Sequence, residues 1–397
     1  MRYISEKTAM IFIFSATVIS IVVMKGWFYL RDKAKKFEVV EHEVMNSQEY
    51  ISAVQSYNAW NYVDALDYFQ AELNRLEVSS MAENPTGYLI KGMIGECYLK
   101  LGEDERAGRY IQESREYLEK KGEDNELSAI YLKEGLYYRH MNQFERAVEC
   151  YEKASGYAGD GEIVQCYLGM AESFAALGNE KEALGCYARA IEEGGRRYDH
   201  RNLTDVYYSK GLYFLQKNEL DTAKKCLEKG VKNAQIIYGV NDIRVALGYG
   251  RLSELYSAKE EYEDAYRYCR KAMDIFSTQD DTSSYEIYIV SLYDSMGCLN
   301  NELGDYAAAL KLFRKSYHIV RKRMQESEFS EFYERCLSNH IKSLFDEMTD
   351  NRGDYEAWFK DHFENDANKN YGCVVYVVSD DGNIQSCLYR KHGKCVL

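Results

Sequence analysis

Proline is almost absent from this chain, because Pro85 is the single one among 397 residues. Proline commonly follows a helix that has to stop, since it cannot continue the helical hydrogen bonding. Helices of this chain would therefore lack a usual stop signal, and we expect their ends to fray or to run on.

Motifs of known catalytic sites are missing as well. The sequence has no glycine-rich loop for a phosphate, no G-x-S-x-G and no H-E-x-x-H. Its seven histidines are scattered, and its many carboxylates fit the solvated faces of amphipathic helices. We therefore predict that the protein is not an enzyme and that it needs no cofactor.

Basic residues are outnumbered by acidic ones. The net charge is −14, from 50 Lys and Arg against 64 Asp and Glu, and no basic stripe is visible. This balance disfavours binding to the phosphate backbone of a nucleic acid. It favours a protein or peptide partner that carries basic groups, although a net charge does not define any one groove.

What the sequence does contain is a pattern repeated six times over about 200 residues. The segments align on an alanine: Ala107, Ala147, Ala183, Ala223, Ala265 and Ala309. Twelve positions earlier, in what we call the small column, lie Gly95, Gly135, Ala171, Gly211, Ser253 and Gly297. Three positions after those lie Tyr98, Tyr138, Phe174, Phe214, Tyr256 and Asn300. Chance does not produce such an alignment, and a recurring unit of this length predicts a solenoid.

Three further columns complete the pattern. Five positions before each alanine lie Gly102, Asn142, Gly178, Asn218, Glu260 and Gly304, mostly residues that tolerate a positive φ. Four positions after it lie Ile111, Tyr151, Tyr187, Leu227, Cys269 and Phe313, and seven after it Ser114, Ala154, Ala190, Gly230, Ala272 and Ser316. Each segment is therefore predicted to form two antiparallel helices that approach closely at small residues and are joined at a left-handed turn.

The pattern resembles the tetratricopeptide repeat (TPR) family, most closely at Gly135–Ala154 and Ala171–Ala190. A degenerate seventh unit has Ala53, Trp60, Ala65 and Phe69 but departs at Glu72, and an imperfect eighth covers Leu344–Phe363. The alanines are 36 to 44 residues apart, which is similar to the long repeats of kinesin light chains and of bacterial peptide-sensing regulators. The resemblance implies an all-α fold, a right-handed superhelical solenoid of about seven helix pairs over residues 47–365.

Cysteine usage fits this interpretation. The chain has eleven cysteines but no C-x-x-C, and Cys150, Cys186 and Cys226 each lie three positions after their alanine. A cysteine repeated at one helical site is a small apolar filler. We predict free thiols, which favour a reducing compartment.

The N-terminal segment is predicted to be a membrane anchor. Residues 1–7 form a flank, and the run Thr8–Met24 that follows has no charged residue. The predicted anchor extends to Leu30, and its 23 residues would make about 35 Å of helix, enough to span a bilayer. A cleaved signal peptide is the alternative, but no small-residue cleavage site follows. Residues 31–46 form a basic linker. Five Lys or Arg after the uncharged run Thr8–Met24, against two before it, place the repeat domain in the cytoplasm.

Residues 366–397 form a C-terminal tail with a predicted β-hairpin. Cys373–Val378 and Ile384–Tyr389 have strand character, and Ser379–Asn383 has turn residues. A weak zinc pattern is present in Cys373, Cys387, His392 and Cys395. Zinc ligands usually come in close pairs, and only the last two approach this spacing, so no metal site is predicted.

The TPR resemblance also implies a binding groove on the concave side, which the first helix of each pair lines. The lining positions lie three before, one after, four after and five after the small column. The predicted partner-contacting residues are Glu96, Leu132, Leu136, Arg139, Leu168, Glu172, Tyr208, Leu212, Leu215 and Glu254. This set suits an apolar segment with one or two basic groups, and Arg139 could take an acid. Alternatively, the leucines pack between neighbouring first helices.

These features predict a membrane-anchored TPR scaffold that recruits a protein partner. An alternative is a peptide-sensing regulatory module whose output partner is separate or missing. A third is an enzyme with an unrecognised site near the C-terminal hairpin. The clamp by which some TPR proteins hold a C-terminal carboxylate needs Lys and Asn on the first helices, and it is absent.

Overall fold

A computed structural model describes the chain in ten segments. They are residues 43–59, 61–78, 85–122, 124–159, 161–279, 285–323, 329–349, 353–364, 374–378 and 384–388.

The predicted membrane localisation needs correction. In the described segments, no helix combines the length and the apolar character needed to cross a bilayer. The predicted anchor, residues 8–30, and its flank, residues 1–7, lie outside the described residues. The prediction of a single-pass membrane protein with a cytoplasmic repeat domain is therefore withdrawn.

The helices fall into two compact units, one up to Tyr137 and one from Tyr138 onward. The first holds α1 (Gln48–Asn58), α2 (Tyr62–Val78), α3 (Pro85–Lys100) and α4 (Asp104–Lys121). The boundary falls within α5 (Asp124–His140). The second holds α6 (Phe144–Tyr157), α7 (Ile163–Ala176), α8 (Glu180–Arg196), α9 (His200–Gln216), α10 (Leu220–Tyr238), α11 (Ile243–Ala258), α12 (Tyr262–Phe276), α13 (Glu286–Glu302), α14 (Tyr306–Arg323), α15 (Phe329–Thr349) and α16 (Tyr355–Phe359), followed by a π-helical turn at Lys360–Glu364.

Consecutive helices pack as pairs within each unit. In the first unit α1 contacts α2 and α3 contacts α4, and in the second α7, α9, α11 and α13 contact α8, α10, α12 and α14 in the same way. The predicted all-α fold of repeated helix pairs is confirmed. The right-handed superhelix stays a prediction.

The turn inside each pair has the geometry that the sequence columns predict. All six residues in the column five positions before the alanines have a positive φ, between 55° and 80°. In every turn, the following residue donates its N–H to the carbonyl of the residue three positions after the small column, at 2.8–2.9 Å. This is the Schellman closure of a helix C-terminus, and it explains why Gly and Asn, which pay little for a left-handed conformation, dominate the column.

The small column is small because a second helix lies against it. A Cβ added to Gly95 would lie 2.7 Å from Ile111 Cγ1, and one added to Gly211 would lie 2.5 Å from Leu227 Cδ2. Ser253 fits because its hydroxyl donates to the Ala265 carbonyl at 2.9 Å. The six alignment alanines are fully buried on the facing helix. The repeat columns are thus the contact surface of each helix pair.

Each unit has its own apolar core. In the first unit Phe69, Leu76, Ile90 and Ile94 are almost completely buried. In the second, Phe313, Ile341 and Leu344 belong to a buried cluster that also contains Trp358. The single proline is the first residue of α3, where its missing N–H costs no helical hydrogen bond.

Seven cysteines whose side chains the structure describes are free thiols, in agreement with the sequence. In the C-terminal tail, β1 (Val374–Val378) pairs antiparallel with β2 (Ile384–Leu388), and Val374 lies opposite Leu388. The connecting residues 379–383 and the zinc-pattern residues His392 and Cys395 lie outside the described residues. The complete hairpin therefore stays a prediction.

Candidate partner-binding surface

Three first helices of the second unit, α7, α9 and α11, are neighbours in the fold. Helix α9 contacts both α7 and α11, and α13 contacts α15. The contacts of α9 bring helices with lining positions of successive repeats next to one another. It allows side chains far apart in sequence to form one surface within the unit.

Three predicted leucines of this unit are partly exposed. Leu168 on α7 and Leu212 and Leu215 on α9 keep part of their surface accessible to solvent. By contrast, the alanine column and the residues four positions after it are largely buried. Apolar side chains that remain accessible on adjacent helices are available to a partner.

Tyr208 does not share this accessibility. Its side chain is 9% exposed, and its hydroxyl donates to the Arg244 carbonyl at 3.0 Å. A Cβ added to Gly230 would lie 2.5 Å from the Tyr208 ring, and Gly248 also abuts its hydroxyl. Burial raises the pKa of Tyr208, with Asp205 contributing. Tyr208 fills the space between α9, α10 and α11, so its side chain is part of the core and not of an accessible lining.

The predicted charged residues of this unit are paired internally. Arg139 forms an ion pair with Glu172, and Glu254 is exposed and lies 2.8 Å from Arg251. Both predicted carboxylates therefore already have a cation beside them. Arg139 is correspondingly engaged with a neighbouring acid, so an acidic group of a partner would have to compete with Glu172.

In the first unit, Glu96 lies in a polar network that the sequence did not indicate. Lys133 Nζ lies 2.5 Å from the Glu96 carboxylate, and the Tyr57 hydroxyl donates to the same carboxylate. Burial opposes ionisation of Glu96, but Lys133 and Tyr57 outweigh it and the pKa is lowered. Burial, followed by the charge on Glu96, raises the pKa of the Cys97 thiol to about 12.

The two predicted leucines of the first unit are both partly buried. Leu136 packs against the core cluster that contains Ile94 and Ala107. Leu132 lies next to Lys133 in the same helix and keeps some exposure. Leu136 fits the packing alternative, whereas Leu132 is still a candidate contact.

A cluster that sequence reasoning missed lies on α13 and α15. Asp294, Cys298 and His340 have ligand atoms within 4.8 Å of one another, and all three are partly exposed. Hydrogen bonds of the imidazole with Asp294 and Cys298, which favour its protonated form, raise the pKa of His340 to about 10. Asp294 and Cys298 lie three before and one after Gly297, so the lining rule already placed them together. His340 had no such signal, because no small column marks α15.

Comparison with known proteins supports the repeat assignment. The family model for the tetratricopeptide repeat matches residues 128–160 and 204–235. The chain contains tetratricopeptide repeats. These matches cover most of α5 with α6, and most of α9 with α10. The search of curated proteins found no match.

Three solved structures to which the chain is similar are the following. The APC/C hetero-tetramer Cut9–Hcn1 is 15% identical, with 84% of this chain and 58% of that chain covered at a TM-score of 0.49. A signal transduction ATPase with a tetratricopeptide repeat sensor from Pyrococcus horikoshii is 16% identical, with 72% and 42% covered at 0.48. The apo quorum sensor NprR from B. thuringiensis is 14% identical, with 79% and 94% covered at 0.45.

Proposed function

We propose that the second unit binds a protein or peptide through the lining positions of its first helices, and that the protein works as an interaction scaffold. The observation that carries this proposal is the partial exposure of Leu168, Leu212 and Leu215 on neighbouring helices. Their repeat-column neighbours are buried, whereas these leucines keep apolar surface that a partner can contact. Accessible apolar groups on a repeat surface are the usual anchors for a partner.

The charges of this surface refine the expected partner. Glu172 and Glu254 are paired with Arg139 and Arg251, so basic groups of a partner must displace an existing cation to gain a contact. Surface ion pairs contribute little when they are merely exchanged. We therefore expect apolar side chains of the partner to supply most of the affinity, with weak dependence on salt.

Selection from a random peptide display library on the full-length protein tests the proposal. We expect enriched peptides with spaced apolar residues, whose affinity falls in Leu212→Ser. A leucine contact contributes about 1.5–3 kcal/mol, so binding should weaken by roughly ten- to a hundredfold. Leu184→Ser is the matched control, because Leu184 is also partly exposed but lies on the second helix α8.

Two outcomes would contradict the proposal: no peptide enriches, or both variants lose binding equally while circular dichroism shows both folded. The peptide-sensing alternative stays a prediction. Tight binding of short free peptides, accompanied by a change in hydrodynamic radius, would favour that alternative over a scaffold for a folded partner.

A further inference from the structure

The cluster on α13 and α15 has the donor set of a metal site. Asp294 and Cys298 are four residues apart on one helix, so their side chains project from the same face. His340 comes from α15, which packs against α13, and its Nδ1 lies 2.9 Å from both carboxylate oxygens of Asp294. One carboxylate, one thiol and one imidazole thus converge from two helices.

The spacing of these atoms fits a bound ion. Tetrahedral zinc with ligand bonds of about 2.0–2.3 Å places its ligand atoms roughly 3.4 Å apart. The three ligand atoms lie within 4.8 Å of one another. A modest side-chain movement that opens the His340–Asp294 contact would place all three around one ion.

The surroundings also orient the imidazole. The His340 ring stacks on Phe313, with 6.3 Å between centroids and 26° between planes. Phe313 is almost fully buried in the core of the pair α13–α14, so it is a fixed support. A ligand ring held by a rigid neighbour loses less conformational freedom when a metal binds.

We propose that Asp294, Cys298 and His340 bind a divalent transition metal, with zinc as the best match to this donor set. Thiolate and imidazole select zinc and its neighbours over Mg²⁺ or Ca²⁺. Three protein ligands leave a fourth position open, and the partial exposure of the cluster makes that position accessible to water or to an external donor group. The site does not depend on the proposed function.

Cobalt titration of the metal-stripped, reduced full-length protein tests this site. Co²⁺ in a tetrahedral site with a thiolate gives a sulfur-to-metal charge-transfer band and visible d–d bands, and zinc should displace it. We expect one equivalent to bind. Cys298→Ser should abolish the charge-transfer band. His340→Gln removes a ligand, so it should weaken cobalt binding by more than about tenfold, which is the smallest effect expected when only a hydrogen-bond partner of a ligand is lost.

Two further cysteine variants serve as controls. Cys226→Ser removes a partly exposed thiol elsewhere in the second unit, and Cys387→Ser removes a residue of the C-terminal zinc pattern. Both should bind cobalt as the unsubstituted protein does. Absence of a charge-transfer band, its survival in Cys298→Ser, or its loss in Cys387→Ser would overturn the proposal.

Alkylation of the unsubstituted protein provides a readout that needs no variant. Bound zinc should protect Cys298 from iodoacetamide, as measured by peptide mass spectrometry, while Cys226 reacts equally with and without zinc. If Cys298→Ser fails to fold, this comparison still decides the question, because equal modification of Cys298 in both conditions would contradict the site.

Discussion

The left-handed turn is the residue-scale feature on which each helix pair depends. Glu260 occupies it with φ of 61°, although Glu pays about 1–2 kcal/mol for this conformation. Gly178 occupies the equivalent position with φ of 77°, and an added Cβ would meet no atom within 4 Å. At Gly178 no neighbouring atom opposes a side chain, so the backbone angle should decide which residue is stable there, and the same angle should disfavour Glu at position 260.

Opposite effects are expected from exchanging side chains at these turns. Glu260→Gly should raise the free energy of unfolding by about 0.5–1 kcal/mol, and Gly178→Ala should lower it by about 1 kcal/mol. Denaturant unfolding followed by circular dichroism measures both. Equal destabilisation by the two substitutions would show that side-chain contacts, and not φ, control the turn.

The Glu96 carboxylate is the second residue-scale case, because it is buried between Lys133 and Tyr57. Glu96→Gln leaves the Lys133 ammonium without its anion, which should cost about 3 kcal/mol. Glu254→Gln is the control, since Glu254 is exposed with its partner Arg251 and its loss should cost less than about 1 kcal/mol. Thermal unfolding of the two variants at neutral pH makes the comparison.

Acid titration adds an independent check on Glu96. The pKa of Glu96 is lower in the folded state than in the unfolded state. Its ionisation therefore stabilises the fold at pH values above the unfolded-state pKa, and this stabilisation is lost as the pH falls through the folded-state pKa. We expect stability to fall with pH below about 4.3 less steeply in Glu96→Gln than in the unsubstituted protein. If the stability of both proteins fell equally steeply with pH below about 4.3, an ionised Glu96 would not contribute to stability.

At the scale of the helix pair, the sequence determined most of what could be checked. Small residues at Gly95, Gly211 and Gly297 predicted close helix approach, and Ile111, Leu227 and Phe313 lie against them. Such columns are predictable because each records one repeated contact. The turn geometry was predictable for the same reason, even where Glu260 departs from the preferred residues.

Exposure at the lining positions was less predictable, because it depends on neighbouring helices rather than on one helix. Tyr208 is buried since Gly230 and Gly248 open a space for it. Glu96 is neutralised by Lys133, a residue at no repeat column. Spacing in the sequence placed Asp294 and Cys298 together, but His340 joins them only through the packing of α15 on α13, which no spacing indicates.

On the scale of the whole molecule, stability should be distributed locally along the repeats. Within the second unit, α9 packs on α7, α8, α10 and α11, all of which are close to it in sequence. A protein with such contacts behaves as a sum of repeat and nearest-neighbour terms, and its parts open separately. A defect in one pair should therefore weaken its neighbours more than distant pairs.

Gly211→Ala tests this locality, because the new Cβ would lie 2.5 Å from the buried Leu227 and overpacking costs about 1–3 kcal/mol. Hydrogen–deuterium exchange read by mass spectrometry should show faster exchange in α9, α10 and their contacting helices, and unchanged exchange in α13, α14 and α15. Gly185→Ala is the control, because Gly185 is exposed on α8 and an added Cβ would have no atom within 4 Å. Since Ala favours the helix more than Gly does, hydrogen exchange in α8 should become slower or stay unchanged. Uniform acceleration through the second unit in Gly211→Ala would instead show that the unit unfolds as one cooperative body.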